Sequence, residues 1–198
     1  MALGYETFSL FYDPAIERIY APFRERIAEA ARLSPTDRVL DLACGTGQGL
    51  AAEVARVPEG EVVGLDLSPG MLTRAQARIE KHGWGNVRLV QGTIDDVDGA
   101  FDAVIVTLGL SAIGPWQEVF RSTFDRLRPG GRYVIFDVHA ERWVPQKTWV
   151  QLLAGADLDR KVWEPLHAVA EDPTLEWLDG SIHVHGGRLF IATGVRPA

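Results

Sequence analysis

The sequence predicts an α/β domain built on a doubly wound, mostly parallel sheet, and three observations carry that expectation. Short runs rich in Val, Ile and Leu recur between longer amphipathic stretches, the pattern of strands buried on both faces by helices. One run ends in an acid, Asp41, and opens into the glycine-rich turn Gly45 to Gly49. Two β-prone runs late in the chain are joined through Gly186-Gly187, which reads as an antiparallel hairpin. Five internal strands and this hairpin make a seven-stranded sheet with an antiparallel last strand.

The elements follow in chain order. Tyr5 to Arg32 is aromatic and amphipathic and precedes the first strand, so it is expected as an appendage across the sheet edge or over a site. The strands are expected at Arg38 to Leu42, Glu61 to Leu65, Val87 to Val90, Phe101 to Val106 and Arg132 to Phe136. Ser68 and Pro69 sit where an N-cap and a first helical residue belong. Met71, Leu72, Ala75 and Ile79 then recur at helical spacing, and Gly83 stops the helix after His82. A second helix is expected from Pro115 to Leu127, with Pro129-Gly130-Gly131 as the turn into the next strand. After Asp137 come helical pieces around Lys147 to Ala154 and Arg160 to Ala170, and then the hairpin from Leu175 to Val195.

Composition narrows the class. The 198 residues are 46% hydrophobic and 24% charged, enough to bury a core in one domain. Within it, 1–36 precedes the first strand, 37–137 carries the alternation of strands and helices, and 138–198 forms a tail of different character. Twenty Lys and Arg against 27 Asp and Glu give a net charge of −7, which argues against nucleic acid or an anionic membrane as partner. The single cysteine, Cys44, has no internal disulfide partner, and the first residues lack a leader pattern, so a cytoplasmic location is expected. The longest apolar stretch, Ala103 to Ile113, is too short to span a bilayer.

The chemistry concentrates at Asp41 to Gly49. A dinucleotide loop would read G-x-G-x-x-G, but the third position of that pattern is Leu50. Asp41 lies four residues before the first glycine, where it would face an amino group better than a phosphate. The loop therefore favours a zwitterionic or cationic ligand. A second acid, Asp66, ends the next strand at the same carboxyl edge, where a carboxylate can accept both hydroxyls of a ribose.

These motifs resemble the class I S-adenosylmethionine-dependent methyltransferases over roughly Asp37 to Asp137, with five motifs in order: Val39 to Gly47, Val63 to Leu72, Val87 to Asp96, Phe101 to Ile113 and Leu127 to Asp137. The resemblance implies a Rossmann-like fold. It also implies that Asp41 and the loop with Ala43, Gly45 and Gly47 hold the methionine part of S-adenosyl-L-methionine, and that Asp66 takes the ribose. Leu67 and Met71 would flank the adenine, with Thr93, Ile94 and Asp95 at its edge and Thr107 in the fourth motif. Thr93 stands where family members often carry an acid. Tyr12-Asp13 followed by Arg24 is similar to the small phospholipid and amine N-methyltransferases, in which a tyrosine and an arginine close over the methionine carboxylate. The other reading is an amphipathic helix whose tyrosines pack. The tail and N-terminal signatures of the demethylmenaquinone branch are not found.

The implied reaction is methyl transfer to nitrogen or oxygen of a small molecule or lipid headgroup, with S-adenosyl-L-homocysteine as product and no metal. Such a transfer needs alignment, desolvation and a lone pair on the acceptor. His139, two residues past Asp137, is the candidate base, with an exposed loop histidine as the other reading. His183 and His185 on one strand face lack a third metal ligand. Trp143, Trp149, Trp163 and Trp177 could line an apolar or cation-binding acceptor pocket, and core packing is the other explanation. Thr107-Leu108-Gly109-Leu110 is not the turn of nucleobase amino-methylation. Two alternatives stand beside the enzyme: a nicotinamide-dependent oxidoreductase and a non-catalytic S-adenosylmethionine-binding subunit.

Overall fold

The computed structural model describes residues 21–141, 147–148, 151–152, 155–178 and 187–198. One seven-stranded sheet organises them: β1 (Arg38–Leu42), β2 (Glu61–Asp66), β3 (Val87–Gln91), β4 (Phe101–Thr107), β5 (Leu127–His139), β6 (Glu171–Trp177) and β7 (Arg188–Val195). The spatial order is β3-β2-β1-β4-β5-β7-β6. β1 to β5 pair in parallel, and β7 inserts antiparallel between β5 and β6. The order reverses between β1 and β4. That is the switch point where open sheets leave a crevice at their carboxyl ends.

Helices cover both faces: α1 (residues 21–30), α2 (Leu50–Val54), α3 (Pro69–His82), α4 (Trp116–Phe124) and α5 (Glu164–Val169). Alternation along the strands divides the apolar residues into two cores. Leu40, Val63, Val104, Tyr133 and Ile135 face α4 and α5, whereas Val39, Val62, Ile105, Val134 and Phe136 face Ile27 of α1 and Ala31 just after it. The caps of α3 fall where the sequence places them. The Met71 N–H donates to Ser68 Oγ at 3.3 Å, and Gly83 closes the helix in the left-handed region at φ 69°.

Three boundaries differ from expectation. The second helix ends at Phe124, and Leu127 begins β5 by pairing with Phe101. Pro129, Gly130 and Gly131 form an irregularity inside that strand, because the register jumps from Phe101↔Leu127 to Ala103↔Arg132. β6 starts at Glu171, four residues before Leu175: it is an edge strand, and an edge tolerates the exposed Glu171-Asp172-Pro173. The helix expected from Arg160 contracts to Glu164–Val169, with Pro165 in its first turn. Tyr5 to Tyr20, Trp143, Trp149, His183, His185 and Gly186 lie outside the described residues. Among the described residues no helix is long and apolar enough to cross a membrane.

Candidate functional site

The carboxyl edge of β1 and β2 is one hydrogen-bonded unit. Asp66 Oδ2 accepts from the Gly45 N–H at 2.9 Å and Oδ1 from the Ser68 N–H at 2.8 Å, so a single carboxylate fixes the glycine loop and the start of α3. Each of these hydrogen bonds uses one lone pair of its oxygen, so the carboxylate keeps acceptor capacity for further donors. Burial raises the Asp66 pKa, against the backbone N–H groups of Ser68, Gly45 and Leu67 that lower it. Leu67 beside it is 67% exposed, an apolar platform facing outward at this edge.

Backbone conformation in the loop is unusual. Gly45 and Gly47 are left-handed at φ 55° and 73°, and a Cβ on Gly45 would meet nothing within 4 Å, so a ligand can approach that backbone. Ala43 and Leu108 adopt φ 57° and 55° without being glycine. They follow β1 and β4, and a Cβ on Gly109 would stand 3.1 Å from Ala43 Cβ. Strain of this kind, about 1–3 kcal/mol per residue, persists where surrounding structure holds it, and such residues cluster at functional sites.

Behind the loop lies a cavity of about 50 Å³, lined by Arg24, Ile27 and Ala28 of α1, by Gln48, Gly49 and Glu53, and by Thr107 and Leu108. Arg24 donates to Gln48 Oε1 at 2.8 Å. Two carboxyls meet at Gly49: a Cβ there would lie 3.0 Å from Glu53 Oε1 and 3.5 Å from Asp41 Oδ2. Both acids are 3% exposed. Burial, and then the charge of Asp66, push the Asp41 carboxyl up to about 8; burial and then Asp41 push Glu53 up well beyond its ordinary value. Among the described residues Glu53 Oε2 is buried with no hydrogen-bond partner.

The other expected site residues are distributed unevenly. Arg24 and Thr107 line the cavity, Asp41 stands at its Gly49 wall, and Gly45 is tied to Asp66. Met71 is buried in the first turn of α3. Thr93 and Asp95 are exposed beyond β3, in a short turn held by Thr93 N–H donating to Asp96 Oδ2 at 2.8 Å. The Ile94 side chain is taken up by the α4-side core. Tyr12 lies outside the described residues. His139 is 6% exposed on the β5 face opposite Phe136 and Val138, with Nδ1 3.2 Å from the Arg160 carbonyl and Trp163 edge-on to its ring. It does not line the cavity.

Glu53 and Gln48 are the residues that sequence reasoning passed over. Their only local signal was proximity to the loop; an acid in a short helix ordinarily reads as a solvated face. Among the described residues no group of three His, Cys, Asp or Glu is arranged to hold a metal.

A sheet in this order, with an acid near the end of β1, a glycine loop after it and an acid ending β2, defines the class I methyltransferase fold. The donor set fits a nucleoside carrying a cationic tail. Residues 39–131 match a family described as a methyltransferase domain, and the chain carries a class I S-adenosylmethionine-dependent methyltransferase domain, as the motifs implied. Demethylmenaquinone methyltransferase of Geobacillus kaustophilus is 32% identical over 124 residues, 61% of this chain and 53% of that protein. Its Thermus thermophilus counterpart is 34% identical over 118 residues, 58% and 53% of the two chains. The chain thus spans about half the length of the curated relatives it matches. In solved structures, a chain of the Haloferax volcanii complex between a methyltransferase activator and a methyltransferase superposes with TM-score 0.79 at 17% identity, covering 98% of each chain. Haemonchus contortus phosphoethanolamine N-methyltransferase 2, in complex with phosphomonomethylethanolamine and S-adenosylhomocysteine, gives TM-score 0.74 at 16% identity, covering 93% of this chain and 56% of that one. At these identities the two structures establish the fold.

Proposed function

We propose that this chain transfers the methyl group of S-adenosylmethionine to a small acceptor brought against the end of β4. The observation that carries the reading is Asp66, which organises the loop and the start of α3 while keeping lone pairs for two hydroxyls. Asp66 would hold the ribose, Leu67 and Met71 the adenine, and the open backbone at Gly45 would lie along the nucleoside. The turn Thr93 to Asp95 would close its edge, with Asp95 in place of the usual acid. Asp41, Arg24 and Thr107 would surround the methionine end, Tyr12 with them. When bound, the cofactor supplies a methyl already activated by the sulfonium. What the protein adds is alignment and exclusion of water, which together lower a displacement barrier by several kcal/mol.

The acceptor is a nitrogen or oxygen nucleophile of a small molecule or lipid headgroup, built in by 1–36 and 138–198. A second reading, methylation of a quinol carbon, is favoured by the demethylmenaquinone methyltransferases among the relatives. A base is needed only for an acceptor that binds protonated. His139 ends β5, and its Nδ1 contact with a carbonyl leaves Nε2 as the proton-accepting atom.

The test is a mass-spectrometric screen for added methyl groups, each about 14 Da, across amines, phenols, lipid headgroups and a short-chain demethylmenaquinone, with S-adenosylmethionine as donor. Methylation of an amine or hydroxyl class supports the first reading, and methylation of the quinol carbon alone supports the second. If the cofactor binds and no class is methylated, the non-catalytic subunit replaces both. Stabilisation by NAD and not by S-adenosylhomocysteine would sink the cofactor assignment.

A further inference from the structure

We infer that Glu53 is a ligand-contact residue: with Asp41 it forms a carboxyl pair that receives a primary ammonium group at the cavity between α1 and the ends of β1 and β4. The inference rests on the cofactor reading above, in which Asp41 already faces an amino group, and adds Glu53 to it.

Three observations support it. Glu53 lines the cavity, yet among the described residues Oε2 is buried without a partner, and a lone buried carboxyl oxygen is costly unless something compensates it. The compensation is not an apolar mimic of structure, because a leucine would fill the same wall at no electrostatic cost. Every acid around it compounds the penalty: Asp41 on β1 and Asp66 on β2 repel it or its neighbour, and Cys44 feels all three. The charged group on the opposite wall, Arg24 of α1, is engaged with Gln48.

One carboxyl lining a small, largely apolar cavity, with a second beside it at Gly49, suits a cation with several N–H donors. An ammonium offers three, enough to reach Glu53 Oε2 and Asp41 while leaving one for a backbone carbonyl. On its arrival the pair ionises, and the displaced proton goes to bulk solvent. No bond other than O–H changes. The ammonium belongs either to the methionine end of the cofactor or to an amine acceptor. The two sources share this chemistry and are separated by experiment.

The experiment is titration calorimetry on the full chain with S-adenosylhomocysteine and with its deaminated analogue, which lacks only the α-amino group, near pH 7 in phosphate and in Tris. A thermal-shift series with ethanolamine, phosphoethanolamine and tyramine runs beside it. If the cofactor supplies the ammonium, the wild-type chain prefers S-adenosylhomocysteine over the deaminated analogue by about tenfold or more. Glu53→Gln then removes most of that preference together with the buffer-dependent proton release. If the acceptor supplies it, Glu53→Gln leaves both nucleosides unchanged and abolishes the thermal shift given by an amine. If Glu53→Gln alters neither, the inference is overturned. Failure of the wild-type chain to bind S-adenosylhomocysteine would refute the cofactor reading instead, and the amine series would still decide the role of Glu53. Glu53→Leu separates ligand contact from structure. It should raise Tm while losing the same discrimination, and a lower Tm would assign the carboxyl to folding and overturn the inference.

Discussion

The two edges of the sheet handle charge in opposite ways. At the amino edge two acids are paired with arginines: Glu61 accepts from Arg38 Nε at 2.7 Å and from Arg88 Nε at 3.1 Å, and Asp102 accepts from the Arg38 N–H and pairs with Arg128. Burial alone would raise Glu61, but the hydrogen bonds and charges of Arg38 and Arg88 outweigh it and hold its pKa below the ordinary value. At the carboxyl edge Asp41, Glu53 and Asp66 are all shifted upward, chiefly by burial. The first edge is a solved electrostatic problem. The second gathers buried carboxyls with raised pKa values, the pattern that accompanies ligand sites, and it agrees with the proposed cofactor end without reference to any relative.

The sharpest way to break this comparison is to remove a carboxylate from the ligand edge. Asp66→Ala is expected to weaken S-adenosylhomocysteine binding by about 1–3 kcal/mol, through loss of charge-assisted hydrogen bonds and of the anchor for the Gly45 and Ser68 N–H groups. Calorimetry checks it, and an unchanged affinity would separate Asp66 from the cofactor. The pH dependence of stability comes next. Asp41 and Asp137 have folded pKa values raised to about 8 and about 6, so between the unfolded value of 3.8 and these values the native state binds more protons than the unfolded chain. By linkage, these two groups add stability as pH falls from about 9 towards 5. The Tm of the ligand-free chain should therefore rise on mild acidification, and Asp41→Asn should flatten the part of that rise nearest pH 8. A Tm that falls steadily over the same interval would show that Asp41 is ionised at little cost.

Legibility from sequence followed the same division of labour. β1 and α3 appear with the expected bounds because each carries its own signals: a buried Val39, Leu40 and Leu42 in one, and the Ser68 cap, four apolar positions and left-handed Gly83 in the other. Leu127 and Gly130 misled because a Pro-Gly-Gly stretch is a turn locally, whereas pairing of Leu127 with Phe101 is a long-range fact. The closeness of the loop, Asp41 and Asp66 at one edge was readable, since strand end, glycine spacing and acid lie within one local pattern. Glu53 was not. Its burial is decided by α1 and by Gly49, which no local periodicity encodes. His139 illustrates the converse, for its position after β5 was evident but its enclosure by Arg160 and Trp163 depends on the tail folding back.

The smallest expected effect belongs to the amino edge and is the control for the others. Glu61 has a lowered folded pKa, so its contribution is present above the unfolded value of 4.5 and is lost as pH falls through the folded one. Because its side chain is 36% exposed, solvent screens both of its ion pairs. Glu61→Gln should therefore cost only about 0.2–1 kcal/mol, less at high salt, and should leave S-adenosylhomocysteine affinity untouched. Denaturant unfolding at two ionic strengths measures the first and calorimetry the second. Had the two edges been equivalent, this variant and Asp66→Ala would shift stability and affinity alike. The contrast predicted here is a small, salt-sensitive loss of stability at one end of β2 against a loss of binding at the other, within a single strand of six residues.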